Sequence, residues 1–302
     1  MKSLKALGPD GFPTLFYKHY WETVGDQIIL ATQSFFRSGR ILSKLNETFI
    51  ALIPKKNGSC NFNQFRPISL CNVCYKVISK IIVSKLRPLL SRMNDPAQVG
   101  FVPNRWIAKN VVIAQEVVHS FKKTKKKKGF LGIKMDFQKA YDRMEWKFLF
   151  LNLKAFGFSN KFTNLINQCL STVQYSMLLN GGKCPSFTPF RGLRQGDPLS
   201  PYLFIWGSEV LMRLISREVD RGQLIAIKVF GNAPPISKLC YADDAILFSK
   251  DKMSELSSLK ICLERYCPWS GQKVNVEKSG IFPSKGLSQQ FLNQIKSCWG
   301  SQ

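Results

Sequence analysis

The sequence predicts an α+β fold in which helices lie on one face of a largely antiparallel sheet. Two observations support this. From residue 130 onward the hydrophobic pattern runs strand, helices, hairpin, helix, hairpin, helix and strand. In the second hairpin, the segment ISKLCYADDAILF at 236–248, two apolar runs flank a pair of adjacent acids. The chain has 302 residues, 45% of them hydrophobic, which suffices for one large or two ordinary domains.

The first 129 residues precede that sheet and are basic. A turn cluster, LGPDGF at 7–12, leads into a predicted helix in which Pro13 suits the first position. A strand, a basic turn and a returning strand then form a predicted hairpin that carries Lys55 and Arg66. Both residues suit a polyphosphate, and the alternative is a solvated loop. The predicted elements are helix 13–38, strands 49–54 and 63–70, helix 71–92, loop 98–105 and helix 106–121.

The charge balance points to a polyanionic partner. Forty-four basic residues oppose nineteen acidic ones, giving a formal net charge of +25, and six lysines fall within residues 121–129. A small-molecule enzyme rarely needs such a balance, whereas neutralising phosphates releases counterions and favours nucleic-acid binding. A solubilising surface is the alternative, although mixed charges would serve that purpose better. The lysine-rich segment is predicted to be a loop, with phosphate contact as a secondary role.

Three acids are the candidate catalytic residues. Asp243 and Asp244 lie at the tip of the hairpin formed by predicted strands 236–241 and 245–249. Adjacent carboxylates repel each other unless a cation intervenes, and magnesium prefers one or two carboxylates plus substrate phosphates. Asp136 ends the buried strand predicted at 130–137, where an unpaired charge would be costly. We therefore expect Asp136 to join Asp243 in a metal site; a solvated Asp-Asp turn is the alternative.

The remaining predicted elements lie between Asp136 and Asp243 in the sequence or follow Asp244. A loop at 192–201 contains Gln195 and Gly196, which place an amide and a small backbone before a helix. The other predictions are helices 141–156, 161–173, 199–218 and 253–266, a hairpin of strands 175–180 and 185–191, and a turn and strand within 271–282.

The cysteines and the hydrophobic pattern indicate an intracellular protein. The nine cysteines are an odd number without zinc-ribbon spacing, so we expect reduced thiols. No 18-residue apolar run and no secretory signal occur in the sequence, which predicts a location in the nucleus or cytoplasm.

Seven segments, in order, resemble the reverse transcriptases of non-LTR retrotransposons of the long-interspersed-element class, in the plant-type subgroup. They cover nearly the whole chain: LGPDGF (7–12), LIPKKNG with FRPISL (52–58, 65–70), QVGFVPNR (98–105), KMDFQKAYDRMEW (134–146), RGLRQGDPLSPYLF (191–204), YADD (241–244) and GQKVNVEKS (271–279). Leu7 and Lys109 depart from the family pattern, which usually has Pro and often Asp there. The resemblance implies a right-hand polymerase, with fingers at 1–129 and a palm at 130–302 that includes a finger-derived segment at about 160–195.

The resemblance also implies roles for matching residues. Asp136 and Asp243 would hold two magnesium ions, or manganese, with Asp244 beside them and the Phe137 carbonyl joining the coordination. Tyr141 would be the gate that excludes a ribose 2′-hydroxyl; a core aromatic is the alternative. Lys278 would protonate pyrophosphate; a solvated lysine is the alternative.

Other matching residues would contact substrates. Lys55 and Arg66 would clamp the triphosphate, and Gln195 and Gly196 would lie under the templating base and incoming nucleotide. A template-contacting segment would comprise Gln98, Gly100, Phe101 and Arg105. The alternative for that segment is a plain connector.

The implied partners are an RNA template, a DNA primer and deoxynucleoside triphosphates, with no membrane. The family's endonuclease and thumb are expected in a full-length element and have no counterpart in this sequence. A remnant that binds nucleic acid without catalysis is therefore the competing interpretation. An intron maturase or telomerase relative shares the palm, but the strings KAYDRMEW and RGLRQGDPLSP argue against it.

Overall fold

The computed structural model describes residues 1, 3, 6–123, 129–228, 233–285 and 287–299. Most of the predicted lysine-rich loop, at 124–128, lies outside these residues. The chain forms two compact units: unit 1 comprises 1–86 and 144–203, and unit 2 comprises 87–143 and 204–302. Within the described residues, no helix has the length and apolar character needed to cross a bilayer.

The helices and strands follow the predicted order. In chain order the helices are α1 (Thr14–His19), α2 (Trp21–Ser38), α3 (Ser43–Asn46), α4 (Val73–Met93), α5 (Ile107–Lys123), α6 (Ala140–Arg143), α7 (Trp146–Ala155), α8 (Asn160–Ser171), α9 (Ser200–Asp220), α10 (Met253–Ser270) and α11 (Gln289–Trp299). The strands are β1 (Glu47–Pro54), β2 (Phe65–Cys71), β3 (Phe130–Met135), β4 (Gln174–Leu179), β5 (Gly182–Lys183), β6 (Lys238–Tyr241), β7 (Asp244–Lys250) and β8 (Gly280–Pro283).

Unit 1 contains a four-stranded sheet in the order β2-β1-β4-β5. The predicted basic hairpin is present, with β1 and β2 antiparallel from Thr48 opposite Cys71 to Pro54 opposite Phe65. β4 pairs with β1 in parallel, and β5 pairs with β4 in an antiparallel orientation. The sheet thus joins a segment near the start of the chain to one more than a hundred residues later.

Unit 2 contains an antiparallel sheet in the order β6-β7-β3-β8. β3 is nearly continuously buried, which explains its unbroken apolar sequence. Val117 and Phe121 of α5 pack with Leu239 of β6 and Phe248 of β7 in one buried cluster. The buried residues of α5 therefore face the sheet that carries the candidate acids.

Four predicted elements differ from the structure. The predicted helix 141–156 is divided into α6 and α7, with residues 144–145 outside both helices. The first predicted helix is interrupted at Tyr20, where the backbone leaves the helical conformation between α1 and α2. The predicted strand 185–191 is wrong: β5 ends at Lys183, and only Phe187 bridges back to Tyr175. Pro185 and Pro189 explain this, because proline has no N–H to donate to a sheet ladder. The final strand starts only at residue 280, after turns and one isolated bridge.

Candidate active site

The three candidate acids emerge at the same end of the unit 2 sheet. Met135, the last residue of β3, pairs with Ala245 of β7, and Asp136 follows it directly. Tyr241 of β6 pairs with Asp244 of β7, so Asp243 lies in the tight turn between these strands. Because β7 lies between β6 and β3, the sheet register itself brings residues separated by more than a hundred positions to one edge.

The charges at this edge influence one another. Burial raises the pKa of Asp243 above its ordinary value, and the nearby carboxylates of Asp244 and Asp136 raise it further. A backbone hydrogen bond opposes this shift. The ionised form of Asp243 is therefore disfavoured first by burial and then by the neighbouring carboxylates, and a bound cation would relieve both effects.

The residues of the GQKVNVEKS segment support Asp136. The Asn275 amide donates to Asp136 Oδ1 at 3.4 Å, and the backbone N–H of Asp136 donates to the Ser279 hydroxyl at 3.2 Å. The backbone N–H of Asn275 also donates to the Asp136 carbonyl at 2.8 Å. These contacts restrict where the Asp136 carboxylate can point. Sequence reasoning selected this motif for Lys278 and missed the role of Asn275 and Ser279.

The donor chemistry of this edge fits a hard divalent cation. Its oxygen ligands would be carboxylates, and Asp136 and Asp243 retain access to solvent. Across the described ranges, no group of three or more His, Cys, Asp or Glu side chains is arranged to hold one metal ion. Two carboxylates nevertheless match magnesium, which usually takes one or two and completes its octahedron with water and substrate phosphates.

Tyr141 lies in α6, close to these acids. Its ring stacks on that of Phe204, with centroids 4.9 Å apart and planes 7° from parallel. Burial raises the pKa of the Tyr141 hydroxyl, and the charge of Asp243 contributes in the same direction. One face of the ring is thus fixed by Phe204, and its hydroxyl lies within electrostatic reach of Asp243.

The predicted substrate-contacting residues of unit 1 lie around its sheet. Lys55 follows β1 and is exposed, with its ammonium donating to the Asn63 carbonyl at 2.9 Å. Arg66 lies on β2 and is exposed. The Gln195 carbonyl accepts from the Ser69 N–H at 2.7 Å. Gly196 has a φ of +113°, and an added Cβ would lie 2.9 Å from the Ser69 carbonyl oxygen. The loop therefore needs glycine where it passes β2.

A buried polar network that the sequence did not reveal holds this loop. Arg194 and Asp197 form an ion pair at 3.2 Å and are each 2% exposed. Asp197 accepts hydrogen bonds from the hydroxyls of Tyr75 and Ser79, both at 2.6 Å. Arg194 donates to the Asn46 side chain at 2.6 Å and its guanidinium lies 3.9 Å from the Tyr75 ring centroid. Gln195 and Gly196 are thus held on both sides by fixed residues.

The predicted template-contacting segment is held by contacts within unit 2. Gln98 and Gly100 are buried, and the Gln98 side chain bonds to the backbone of Ala242. Arg105 donates to four backbone carbonyls within unit 2. Of the four residues selected, only Phe101 is largely exposed. Contact with nucleic acid stays a prediction for all four. Lys278 lies exposed in the turn before β8.

Comparison with known proteins decides the family. Residues 53–291 match the reverse transcriptase (RNA-dependent DNA polymerase) family. The chain belongs to the reverse transcriptase family. This stretch contains the three candidate acids and all the predicted substrate-contacting residues. Members of the family generally depend on divalent metal ions, in keeping with the donor chemistry of the sheet edge.

The relatives of this chain include retrotransposon proteins. An uncharacterized 149 kDa protein of transposon TX1 from Xenopus laevis is 27% identical over 288 residues, covering 95% of the chain and 21% of the relative. The Pol polyprotein of the type-2 retrotransposable element R2DM from Drosophila melanogaster is 29% identical over 249 residues, covering 81% and 22%. The chain thus spans about a fifth of the length of these two relatives. An uncharacterized mitochondrial protein of Arabidopsis thaliana is 52% identical over 67 residues, covering 22% and 55%.

Solved structures show the same fold. Apo telomerase from Candida tropicalis, truncated from its C-terminal domain, matches with a TM-score of 0.56 at 15% identity, covering 88% of this chain and 56% of that one. Telomerase from Candida albicans, in complex with a fragment of telomeric RNA, matches with a TM-score of 0.54 at 16% identity, covering 92% and 47%. The predicted α+β polymerase fold and the non-LTR retrotransposon reverse transcriptase class are confirmed; the plant-type subgroup stays a prediction.

Proposed function

We propose that this chain catalyses RNA-directed DNA synthesis, joining deoxynucleoside triphosphates to a primer 3′-hydroxyl along an RNA template. The observation that carries the proposal is the meeting of Asp136 with Asp243 and Asp244 at one edge of an antiparallel sheet, in a chain of the reverse transcriptase family. In this proposal unit 1 supplies the fingers and unit 2 the palm. The predicted fingers at 1–129 differ from that division, because residues 87–129 belong to unit 2 and residues 144–203 to unit 1.

Asp136 and Asp243, with the Phe137 carbonyl, are the groups that would hold two magnesium ions, or manganese in their place. When bound, the ions would lower the pKa of the primer hydroxyl and stabilise the leaving pyrophosphate. The task of the protein is to keep the carboxylates in position. Asn275 and Ser279 fix Asp136, and the β6–β7 turn fixes Asp243. Asp244 would add negative charge beside the pair.

Tyr141 would select the sugar. Its stacking on Phe204 immobilises the ring, and the interaction of its hydroxyl with Asp243 indicates that it lies beside the reacting groups. A fixed ring in that position would leave no space for a ribose 2′-hydroxyl. Deoxynucleotides would therefore be preferred.

The cationic and glycine-bearing residues of unit 1 would bind the incoming nucleotide. Lys55 and Arg66 are exposed and carry the positive charge that a triphosphate needs. Gln195 and Gly196 would lie under the templating base, on a loop fixed by its contact with Ser69. The exposed Lys278 would protonate the pyrophosphate.

An RNA template and a DNA primer are the partners that fit the formal net charge of +25. Phe101 is the best candidate for direct contact within the 98–105 segment, because its ring is exposed and every base offers a face for stacking. Gln98, Gly100 and Arg105 would support the segment from within. The nucleus or the cytoplasm, as expected from the sequence, remains the proposed location.

Primer extension tests the proposal. We expect the protein to incorporate thymidylate from thymidine triphosphate when it is given magnesium and a poly(rA) template primed with oligo(dT). Asp243→Ala should reduce incorporation to background, because it removes a proposed ligand. Asp220→Ala is the matched control, since Asp220 is exposed at the end of α9 in the same unit, and should behave like the unaltered protein.

Equal incorporation by the unaltered protein and Asp243→Ala would refute the role of Asp243. Salt-sensitive binding of RNA by the unaltered protein, with no incorporation under any divalent metal, would support the competing interpretation of a nucleic-acid-binding protein without catalysis.

A further inference from the structure

The segment around Gln98 pairs with the strand that leads into the Asp243–Asp244 turn. Gln98 and Cys240 form a parallel bridge. The Val99 N–H donates to the Cys240 carbonyl at 3.1 Å, and the Cys240 N–H donates to the Ala97 carbonyl at 3.0 Å. A short stretch of the chain thus extends the unit 2 sheet beyond β6, next to the acids.

The Gln98 side chain bonds both backbone polar groups of Ala242, the residue before Asp243. Its Oε1 accepts from the Ala242 N–H at 2.9 Å, and its Nε2 donates to the Ala242 carbonyl at 3.3 Å. The same Oε1 accepts from the Gly100 N–H at 2.9 Å. Gln98 is 1% exposed, so these bonds do not compete with bulk water.

Ala242 needs such support because its backbone conformation is unfavourable. Its φ is +53°, in the left-handed region that a Cβ disfavours. Tyr241 and Asp244 close a two-residue hairpin turn, and only the first central residue has a positive φ. That pattern is typical of a type II′ turn, in which the first central residue is usually glycine. The Gln98 amide therefore stabilises a turn that the local sequence alone does not favour.

Neighbouring residues hold Gln98 in turn. The Arg105 guanidinium donates to the Gln98 carbonyl at 2.6 Å and to the Asn94 carbonyl at 2.9 Å. The Asn110 amide donates to the carbonyls of Ala97 at 2.8 Å and Cys240 at 3.0 Å. These hydrogen bonds fix the backbone around Gln98, and the Gln98 side chain bonds the turn directly.

We propose that Gln98 is a positioning residue, which sets the direction of the Asp243 carboxylate by holding Ala242 in the left-handed conformation. The proposal rests on the function proposed above, in which Asp243 binds a divalent cation. Gln98 does not touch the cation or the substrate. Its effect passes through the backbone of the turn.

The test measures Mn²⁺ binding to the protein without substrates, by electron paramagnetic resonance of the free ion. Gln98→Met replaces the amide side chain with an apolar one of similar length and removes all three of its hydrogen bonds. It should weaken Mn²⁺ binding about tenfold, the scale seen when residues that orient metal ligands are changed. Gln290→Met, at an exposed position of α11, is the matched control and should bind Mn²⁺ unchanged.

A rescue variant separates positioning from general stability. Ala242→Gly removes the Cβ that makes the left-handed conformation costly. The double variant Gln98→Met/Ala242→Gly should therefore recover most of the lost Mn²⁺ affinity. If Gln98→Met does not fold, Gln98→Glu replaces it. Glu keeps the acceptor for the two N–H groups, and a smaller loss is expected.

The outcomes discriminate between the proposals. A folded Gln98→Met protein that binds Mn²⁺ as tightly as the unaltered protein would overturn the positioning role, as would a loss that Ala242→Gly does not reduce. Mn²⁺ binding that is insensitive to Asp243→Asn would instead overturn the proposed function, and with it the premise of the positioning role.

Discussion

Gly100→Ala should destabilise unit 2 by pushing against the turn that carries the acids. An added Cβ at Gly100 would lie 2.5 Å from the Ala242 backbone nitrogen, 3.1 Å from Gln98 Oε1 and 3.2 Å from the Ala242 Cα. Real Cβ atoms essentially never approach closer than 3.0 Å, so the two backbone segments must separate by about 0.5 Å. The obstacle is backbone rather than a flexible side chain, so neither segment can move without disturbing the sheet edge.

The expected loss follows from this overlap. Forcing an extra methyl group into a packed site typically costs about 1–3 kcal/mol. The separation also stretches the hydrogen bonds between Gln98 and Ala242, each with a net contribution of about 1 kcal/mol. We expect a loss of about 2 kcal/mol in the free energy of unfolding, at the middle of the overpacking range.

Urea denaturation followed by circular dichroism measures this loss. The matched control is Gly280→Ala on β8, where an added Cβ has no heavy atom within 4 Å. The control should remain within about 0.5 kcal/mol of the unaltered protein. Equal stability of the two variants would refute the tight packing of the 98–100 segment against Ala242.

Three further predictions concern single residues. Burial, Asp244 and Asp136 raise the pKa of Asp243 in the folded protein, so Asp243 binds more protons in the folded than in the unfolded protein. With a chelator present to remove metal ions, its contribution to the free energy of unfolding should therefore slope downward as pH rises above about 4. Asp243→Asn should reduce that slope in urea denaturation, and an unchanged slope would contradict the shift. Asp197→Ala leaves the buried Arg194 charge unpaired and should cost about 3–5 kcal/mol in the same assay, whereas Asp220→Ala should cost little; similar losses would refute the network. Tyr141→Ala should raise ribonucleotide incorporation relative to deoxynucleotide on the order of 10-fold to 100-fold in primer extension, and an unchanged ratio would remove its role in sugar selection.

The sheet carrying the acids was predictable because its strands have strong local signals. The apolar run before Asp136 and the two runs around Asp243 and Asp244 each identify a strand. Their order in the sheet has no such local signal. The expectation that Asp136 lies near Asp243 came from the chemistry of adjacent carboxylates and from the family resemblance. The register of β3 with β7 now gives a direct physical reason for it.

The supporting contacts were not predictable, since they join residues far apart in sequence. Gln98 bonds a residue 144 positions later, and nothing in either segment indicates the other. Arg194 and Asp197 lie in a polar loop, yet both are buried. Tyr75 and Ser79 satisfy the Asp197 carboxylate, which pairs with Arg194. A charged or polar side chain can be buried when buried partners form hydrogen bonds or ion pairs with it, so its polarity alone does not indicate exposure.

Cleavage of the protein backbone by Fe²⁺ tests the central claim most directly. Fe²⁺ bound in place of magnesium reduces added hydrogen peroxide to hydroxide and a hydroxyl radical, and added ascorbate returns the resulting Fe³⁺ to Fe²⁺. The radicals cut the chain close to the ion, and the cut positions can be read by mass spectrometry. Cation binding by Asp136 and Asp243 predicts cuts near 134–138 and 241–245, and in the contacting segments 98–100 and 275–279. Magnesium should suppress these cuts and Asp243→Asn should abolish them. Cuts elsewhere in the chain, or cuts at these positions that persist in Asp243→Asn, would contradict it.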